Sequence, residues 1–223
     1  MAGESAAEDL VVGEPRWHMA SAVVAAVVLT ILMPDDLRFG PNWLLPVIVG
    51  VLLAAQIAGD PGRIDRRTVP LRALSVGLIS VLVFGALWAT ILLVSHLING
   101  GKETDSAGAL LEAGSIVWAS NIIAFALLYW ELDGGGAPER AHRPSSRIVD
   151  FAFPQQMNPE LAPAHWRPRF IDYLYLGFTN ATAFSPTDAM PLAPWAKITM
   201  AVQALISLVV LGLVIARAVN IFA

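Results

Sequence analysis

Ala73 to Ile98 is a continuous apolar run with no Asp, Glu, Lys or Arg in it, and it is long enough to cross a bilayer with tilt. Such a run must be hidden either in a protein core or in lipid, and composition chooses between them. Of the 223 residues 56% are hydrophobic and 14% charged, with a mean hydropathy of +0.63, against roughly 45–50% and about 25% in an average soluble domain. One core of this size cannot hide that surplus, so lipid is the expected second apolar solvent. At about 20 residues per span, six spans would consume most of the apolar residues. The expected class is an all-α, polytopic transmembrane bundle of about six spans.

The same composition excludes several chemistries. With zero cysteines there are no disulfides, thiolate metal sites or cysteine nucleophiles. The four histidines, His18, His96, His142 and His165, are scattered with no pair at metal-ligand spacing. A formal net charge of −4 argues against a nucleic-acid partner. The sequence has no GxxxxGK[ST], GxGxxG or HExxH motif and no paired carboxylates at a span's middle, so neither an enzyme nor a bound cofactor or metal is expected.

Punctuation divides the chain. Residues 1–16 form an acidic N-terminal tail, with Glu4, Glu8, Asp9 and Glu14 against the lone Arg16, the reverse of a secretory signal's basic start. Four transmembrane helices are expected within 17–130: Trp17–Met33, Trp43–Ala58, Ala73–Ile98 and Ala107–Trp130. Pro34-Asp35-Asp36 stops the first, and Gly59-Asp60-Pro61-Gly62 stops the second. Residues 131–169 read as a polar cytoplasmic loop whose Phe151, Phe153 and Trp166 suit the headgroup level. Loops of that length are functional or disordered. Residues 170–223 hold a short polar segment, Phe170–Pro186, then a turn and the last helix, Trp195–Ala223.

Whether Phe170–Pro186 crosses or re-enters sets the topology. Full crossing gives six spans with both termini cytoplasmic. The inside then holds Arg16, Arg63, Arg66, Arg67, Arg72, Arg140, Arg143, Arg147, Arg167, Arg169 and Arg217, and only Arg38, Lys102 and Lys197 lie outside, as cytoplasmic Lys/Arg enrichment requires. In the alternative the segment dips in from outside as a pore loop and the N-terminus and long loop become external.

Polar groups within spans are the first candidates for function, because they turn toward a cavity or a partner helix. Asn121, in the fourth span, reads either as a helix–helix hydrogen-bond group or as part of a solute path. Thr179, Asn180, Thr182 and Ser185 crowd one short segment, where they either line a wet path or satisfy local backbone. Gly177, Ala181 and Ser185 recur every four residues, the small-residue spacing that lets helices approach closely. Asp188 is either an N-terminal cap or a charge at a mouth. Gln203, Ser207 and Arg217 share a stripe of the last helix, with Arg217 far enough along to snorkel to the opposite interface.

The run DYLYLGFTNATAFSPTDAMPLAPWAKITMAVQALISLVVLGLVIARAVN resembles a potassium-channel pore module: an aromatic-rich short helix, a filter ending in Asp, a proline-spaced turn and an inner helix. Against the family's Thr-Val-Gly-Tyr-Gly-Asp, the chain has Ala183-Phe184-Ser185-Pro186-Thr187-Asp188. Only Asp188 matches, and Ser185 and Thr187 replace the glycines whose unusual backbone angles line a filter with carbonyls. With the preceding FPQQMNPELAPAHWRP, the stretch also resembles uncharacterised bacterial multi-pass membrane proteins. The second resemblance implies a bacterial inner-membrane location and no established activity. From the polar residues themselves the leading expectation is a channel-like or transport-related protein for an unspecified solute, with Asn121, Thr179, Asn180, Thr182, Ser185 and Asp188 as candidate path residues. The competing expectation is a non-conducting scaffold or sensor that meets a partner through the long loop. A pore on a symmetry axis would need about four copies in a homo-oligomer, whereas a monomer would enclose its own path.

Overall fold

The computed structural model describes residues 13–102, 106–143, 148–163, 165–182 and 188–222. A short strand β1 (Glu14–Pro15) leads into α1 (Arg16–Leu32), which ends before Pro34 because proline has no N–H to continue the ladder. Helix α2 (Leu44–Gly59) returns, and β2 (Arg63–Ile64) pairs antiparallel with β1. Helix α3 (Val69–Asn99) starts with Pro70 in its first turn and stops at Gly100, whose φ of 89° suits glycine. The next helix, α4 (Ala107–Leu132), is capped by Ser106, whose hydroxyl accepts from the Ala109 N–H at 3.2 Å.

The described residues of 131–169 are folded against the bundle. They hold the short helices α5 (Ala137–Ala141) and α6 (Pro154–Met157), with β3 (Phe151–Ala152) between them. Phe151 and Phe153 do not rest at a headgroup surface, contrary to the expectation from composition. They are 1% and 4% exposed and meet the ring of Tyr173 edge-on, at 6.4 and 5.2 Å. Helix α7 (Phe170–Thr182) follows, then β4 (Met190–Pro191) and α8 (Pro194–Phe222).

Two ends of the bundle can be told apart. At one, β1 pairs with β2, Trp130 at the end of α4 reaches Glu14, and β3 pairs with β4. Ten described cationic residues sit there: Arg16, Arg63, Arg66, Arg67, Arg72, Arg140, Arg143, Arg167, Arg169 and Lys197. The opposite end has Arg38, Lys102 and Arg217. We call these the basic end and the far end.

Helices α7 and α8 both start at the basic end. Phe151 of β3 contacts Tyr173 near the start of α7 and Trp195 at the start of α8. Further along, Asn180 and Gly177 lie beside Met200 and Gln203. The two helices therefore run in the same direction, and Met190-Pro191, paired with β3, lies at the basic end. With 13 residues, α7 is about 20 Å long at 1.5 Å per residue, short of the roughly 30 Å hydrocarbon core. The first and last described residues consequently lie at opposite ends of the bundle.

Helix α4 is the axis of the fold and packs on α1, α3, α7 and α8. Trp130, Tyr129, Tyr173, Phe151 and Phe170 fill a core at the basic end, and Leu93, Leu110, Val117 and Val210 fill one at the far end. Much of α3 and α8 instead faces outward, including Ile91, Leu205 and Ile215, each more than three-fifths exposed. Three helices, Val69–Asn99, Ala107–Gly135 and Pro194–Ile221, are long and apolar enough to cross a membrane, and α1 and α2 are shorter apolar helices. A helical membrane protein results.

Candidate functional site around the short helix

The short helix is held at its base by a folded polar network. Glu14, immediately before α1, accepts from the indole Nε1 of Trp130 at 2.8 Å and from the backbone N–H of Phe170. One carboxylate thereby ties the starts of α1 and α7 to the end of α4. Its burial pushes the Glu14 carboxyl above its ordinary value, opposed by those two donors and by the charges of Arg140 and His18.

Arg140 lies one turn into α5 and is buried. Its Nη1 donates to the carbonyls of Trp130 at 2.7 Å and Asp133 at 2.6 Å, satisfying carbonyls that the end of α4 leaves open. The guanidinium also faces the rings of Trp130 and Tyr173 at 5.9 and 5.0 Å, which favours a cation. Asp133 accepts from the Tyr173 hydroxyl and from the Asp150 N–H. Asp150 in turn accepts from the Gly134 N–H at 2.9 Å, and its own carbonyl accepts from the Leu192 N–H at 2.8 Å. This chain of bonds fixes the entry to both α7 and α8.

Deeper in the bundle, Gln203 is fully buried and joins three helices. Its Oε1 accepts from the Tyr129 hydroxyl and from Asn180 Nδ2, both at 2.7 Å, and its Nε2 donates to the Gly177 carbonyl at 2.9 Å. Gly177 permits this approach. A Cβ there would stand 3.2 Å from the Ile122 carbonyl oxygen and 3.4 Å from the Ala126 side chain.

The sequence candidates are dispersed by the fold. Asn121 is buried and donates to Thr90 Oγ1 on α3 at 2.7 Å and to the Val117 carbonyl at 2.9 Å. Asn180 faces α8, donating to the Met200 carbonyl at 2.9 Å as well as to Gln203. Thr179 and Thr182 donate to carbonyls of their own helix, including those of Tyr175 and Phe178. Asp188 is exposed and six residues before Pro194, too far to cap α8. Together with Thr179 it lines a cavity of about 80 Å3, shared with Asp172, Tyr175, Gln155 and Phe153 at the base of α7. Ser185 lies outside the described residues. Thr179 and Asp188 are thus brought together, while Asn121 and Asn180 are taken up in helix–helix bonds.

Sequence reading missed Glu14, Tyr129, Asp133, Arg140 and Tyr173. Glu14 looked like one more acid of a polar tail, and Arg140 like one more charge of a basic loop. The available signal was an acid directly before Pro15 and the first apolar run, and an aromatic pair, Tyr129-Trp130, closing the fourth. Among the described residues no three His, Asp or Glu side chains come together to hold a metal ion. Comparison with protein-family models, curated proteins and solved structures finds no match to this chain.

Proposed function

We propose a multi-pass membrane protein with five crossing helices and a sixth, α7, that enters the bilayer and returns on the same side, acting as a channel-like or transport-related protein. The single observation carrying this reading is that α7 and α8 start at the same end, where Met190-Pro191 of β4 also pairs with β3. A half-length helix ends at membrane depth, where its open terminal carbonyls are tolerated only against protein or a wet cavity. The order of long helix, folded stretch, short helix, return and long helix is also that of the potassium-channel pore module. Enrichment of Lys and Arg on cytoplasmic faces puts the basic end in the cytoplasm, with ten described cationic residues against three. The hairpin then opens to the cytoplasm, the N-terminal side of α1 lies inside, and the end of α8 lies outside.

The test uses the natural absence of cysteine. Single cysteines at Thr179, Asn180, Thr182 and Ser185 are treated with a small water-soluble thiol reagent, with Leu208 on the outward face of α8 as the lipid control. Thiolate is the reactive form, so labelling reports water. Expected is fast labelling at 179 and 185, together with solute flux through reconstituted protein. If all four positions are as inert as Leu208, the path is refuted, and the hydroxyls are helix-packing groups of a non-conducting protein.

A further inference from the structure

At the basic end, away from the hairpin, a cavity of about 210 Å3 opens between the end of α2, the start of α3, the end of α4 and α5. Its lining combines four guanidinium groups, Arg16, Arg66, Arg67 and Arg72, with three carboxylates, Asp60, Glu131 and Glu139. Asp60 is shared by Arg16 at 2.9 Å and Arg66 at 3.6 Å, and Arg67 faces Glu139 at 3.5 Å. Arg72 donates to the Gly135 carbonyl. Four guanidinium groups against three carboxylates leave the lining net positive.

Two further features belong to residues that line the same space. Arg16 is 7% exposed, and its Nε has no hydrogen-bond partner among the described residues, a costly arrangement for a buried charged group. Thr68 at the N-cap of α3 makes no side-chain cap, and Pro70 has no N–H, so Val69 and Leu71, both lining the cavity, carry first-turn N–H groups without a side-chain cap. Open helix N-termini attract phosphate through those N–H groups and the helix dipole. Beside the mouth, Val69 is 85% exposed, offering an apolar surface continuous with the outward face of α3.

We infer that this cavity binds a phosphate group, and specifically the phosphodiester monoanion of an anionic phospholipid in the leaflet at the basic end. A phosphodiester supplies negative charge that complements the lining's positive excess. Arginine forks match its oxygens, and basic pockets between transmembrane helices are suited to lipid headgroups. A headgroup with its own quaternary ammonium cancels the charge of its phosphate, whereas the glycerol of phosphatidylglycerol leaves the lipid net negative against a net-positive lining. The preference is therefore for phosphatidylglycerol over phosphatidylcholine.

Purified full-length protein in non-ionic detergent, titrated with phosphatidylglycerol, phosphatidylcholine or inorganic phosphate and read by native mass spectrometry and thermal unfolding, tests this. Expected is at least tenfold tighter binding of phosphatidylglycerol than of phosphatidylcholine, weakened at least fivefold by R67Q and largely restored by R67K. R169Q removes the same charge from an exposed position at the same end, outside the cavity, and leaves binding unchanged. Arg67 is itself two-fifths exposed at the mouth, so R67Q keeps the buried Arg16–Asp60 pair. A response to inorganic phosphate alone that R67Q abolishes would keep the phosphate site and overturn the lipid as its source. Equal binding of both lipids, or equal loss in R67Q and R169Q, would overturn the site.

Discussion

Gln203→Leu removes the side chain that ties α4, α7 and α8 together while keeping its approximate volume. Three hydrogen bonds are lost, from Tyr129, from Asn180 and to Gly177. Interhelical hydrogen bonds within membranes average about 0.6 and reach about 1.7 kcal/mol, so the expected cost is about 2 to 5 kcal/mol. Asn180 retains its bond to the Met200 carbonyl, which keeps the value below the cost of an orphaned amide. Tyr129→Phe removes one bond of the three and should cost about 0.6 to 1.7 kcal/mol. The assay is reversible unfolding in mixed micelles, followed through tryptophan fluorescence. In the Q203L background Y129F should cost almost nothing, because its partner is already gone and the cycle isolates the pair. A Q203L protein within about 0.5 kcal/mol of the parent, or full additivity of the two substitutions, would refute the three-helix junction.

Gly177→Val places a branched side chain against the Ile122 carbonyl and Ala126; overpacking should cost about 1 to 3 kcal/mol, with Gly177→Ala milder, in the same unfolding assay. Glu14 holds its proton more tightly folded than unfolded, so its contribution is fully present below the ordinary value of 4.5 and is lost as pH rises through the raised one. Glu14→Gln should flatten that part of the pH–stability curve, and an unchanged slope would contradict the buried carboxyl. Since Ser185 and Thr187 stand where a potassium filter has glycine, reversal potentials under opposed potassium and sodium gradients should show no filter-type selectivity.

The helices were legible because each is an apolar run bounded by residues that break helices. The expected Trp43–Ala58 and Ala107–Trp130 meet Leu44–Gly59 and Ala107–Leu132 within two residues at each end. Helix direction was not legible. Hydropathy reads the same whether Phe170–Thr182 crosses or turns back, and what decides it is the pairing of Phe151-Ala152 with Met190-Pro191, which carries no periodic signature in two residues a side. The charge bias was visible too, but its meaning depends on direction: Lys197 and Arg217 exchange sides once α8 starts at the basic end, leaving the bias intact. The polar candidates were found by type and not by role. Asn121 and Asn180 are buried amides, yet only neighbours distant in sequence, Thr90 and Gln203, show what they bond. Gly177 was legible because small residues at four-residue spacing have few uses other than close approach.

The account stands most directly on where Asp188 surfaces. Single cysteines replacing Glu160, Asp188 and Lys102, all exposed, are labelled in sealed vesicles of known orientation with a membrane-impermeant thiol reagent. Glu160 marks the basic end, and Lys102, paired with Asp36 at 3.2 Å, marks the far end. The re-entrant account predicts that positions 188 and 160 label from the cytoplasmic face and 102 from the other. Labelling of 188 together with 102, opposite to 160, would make α7 a full crossing and contradict it.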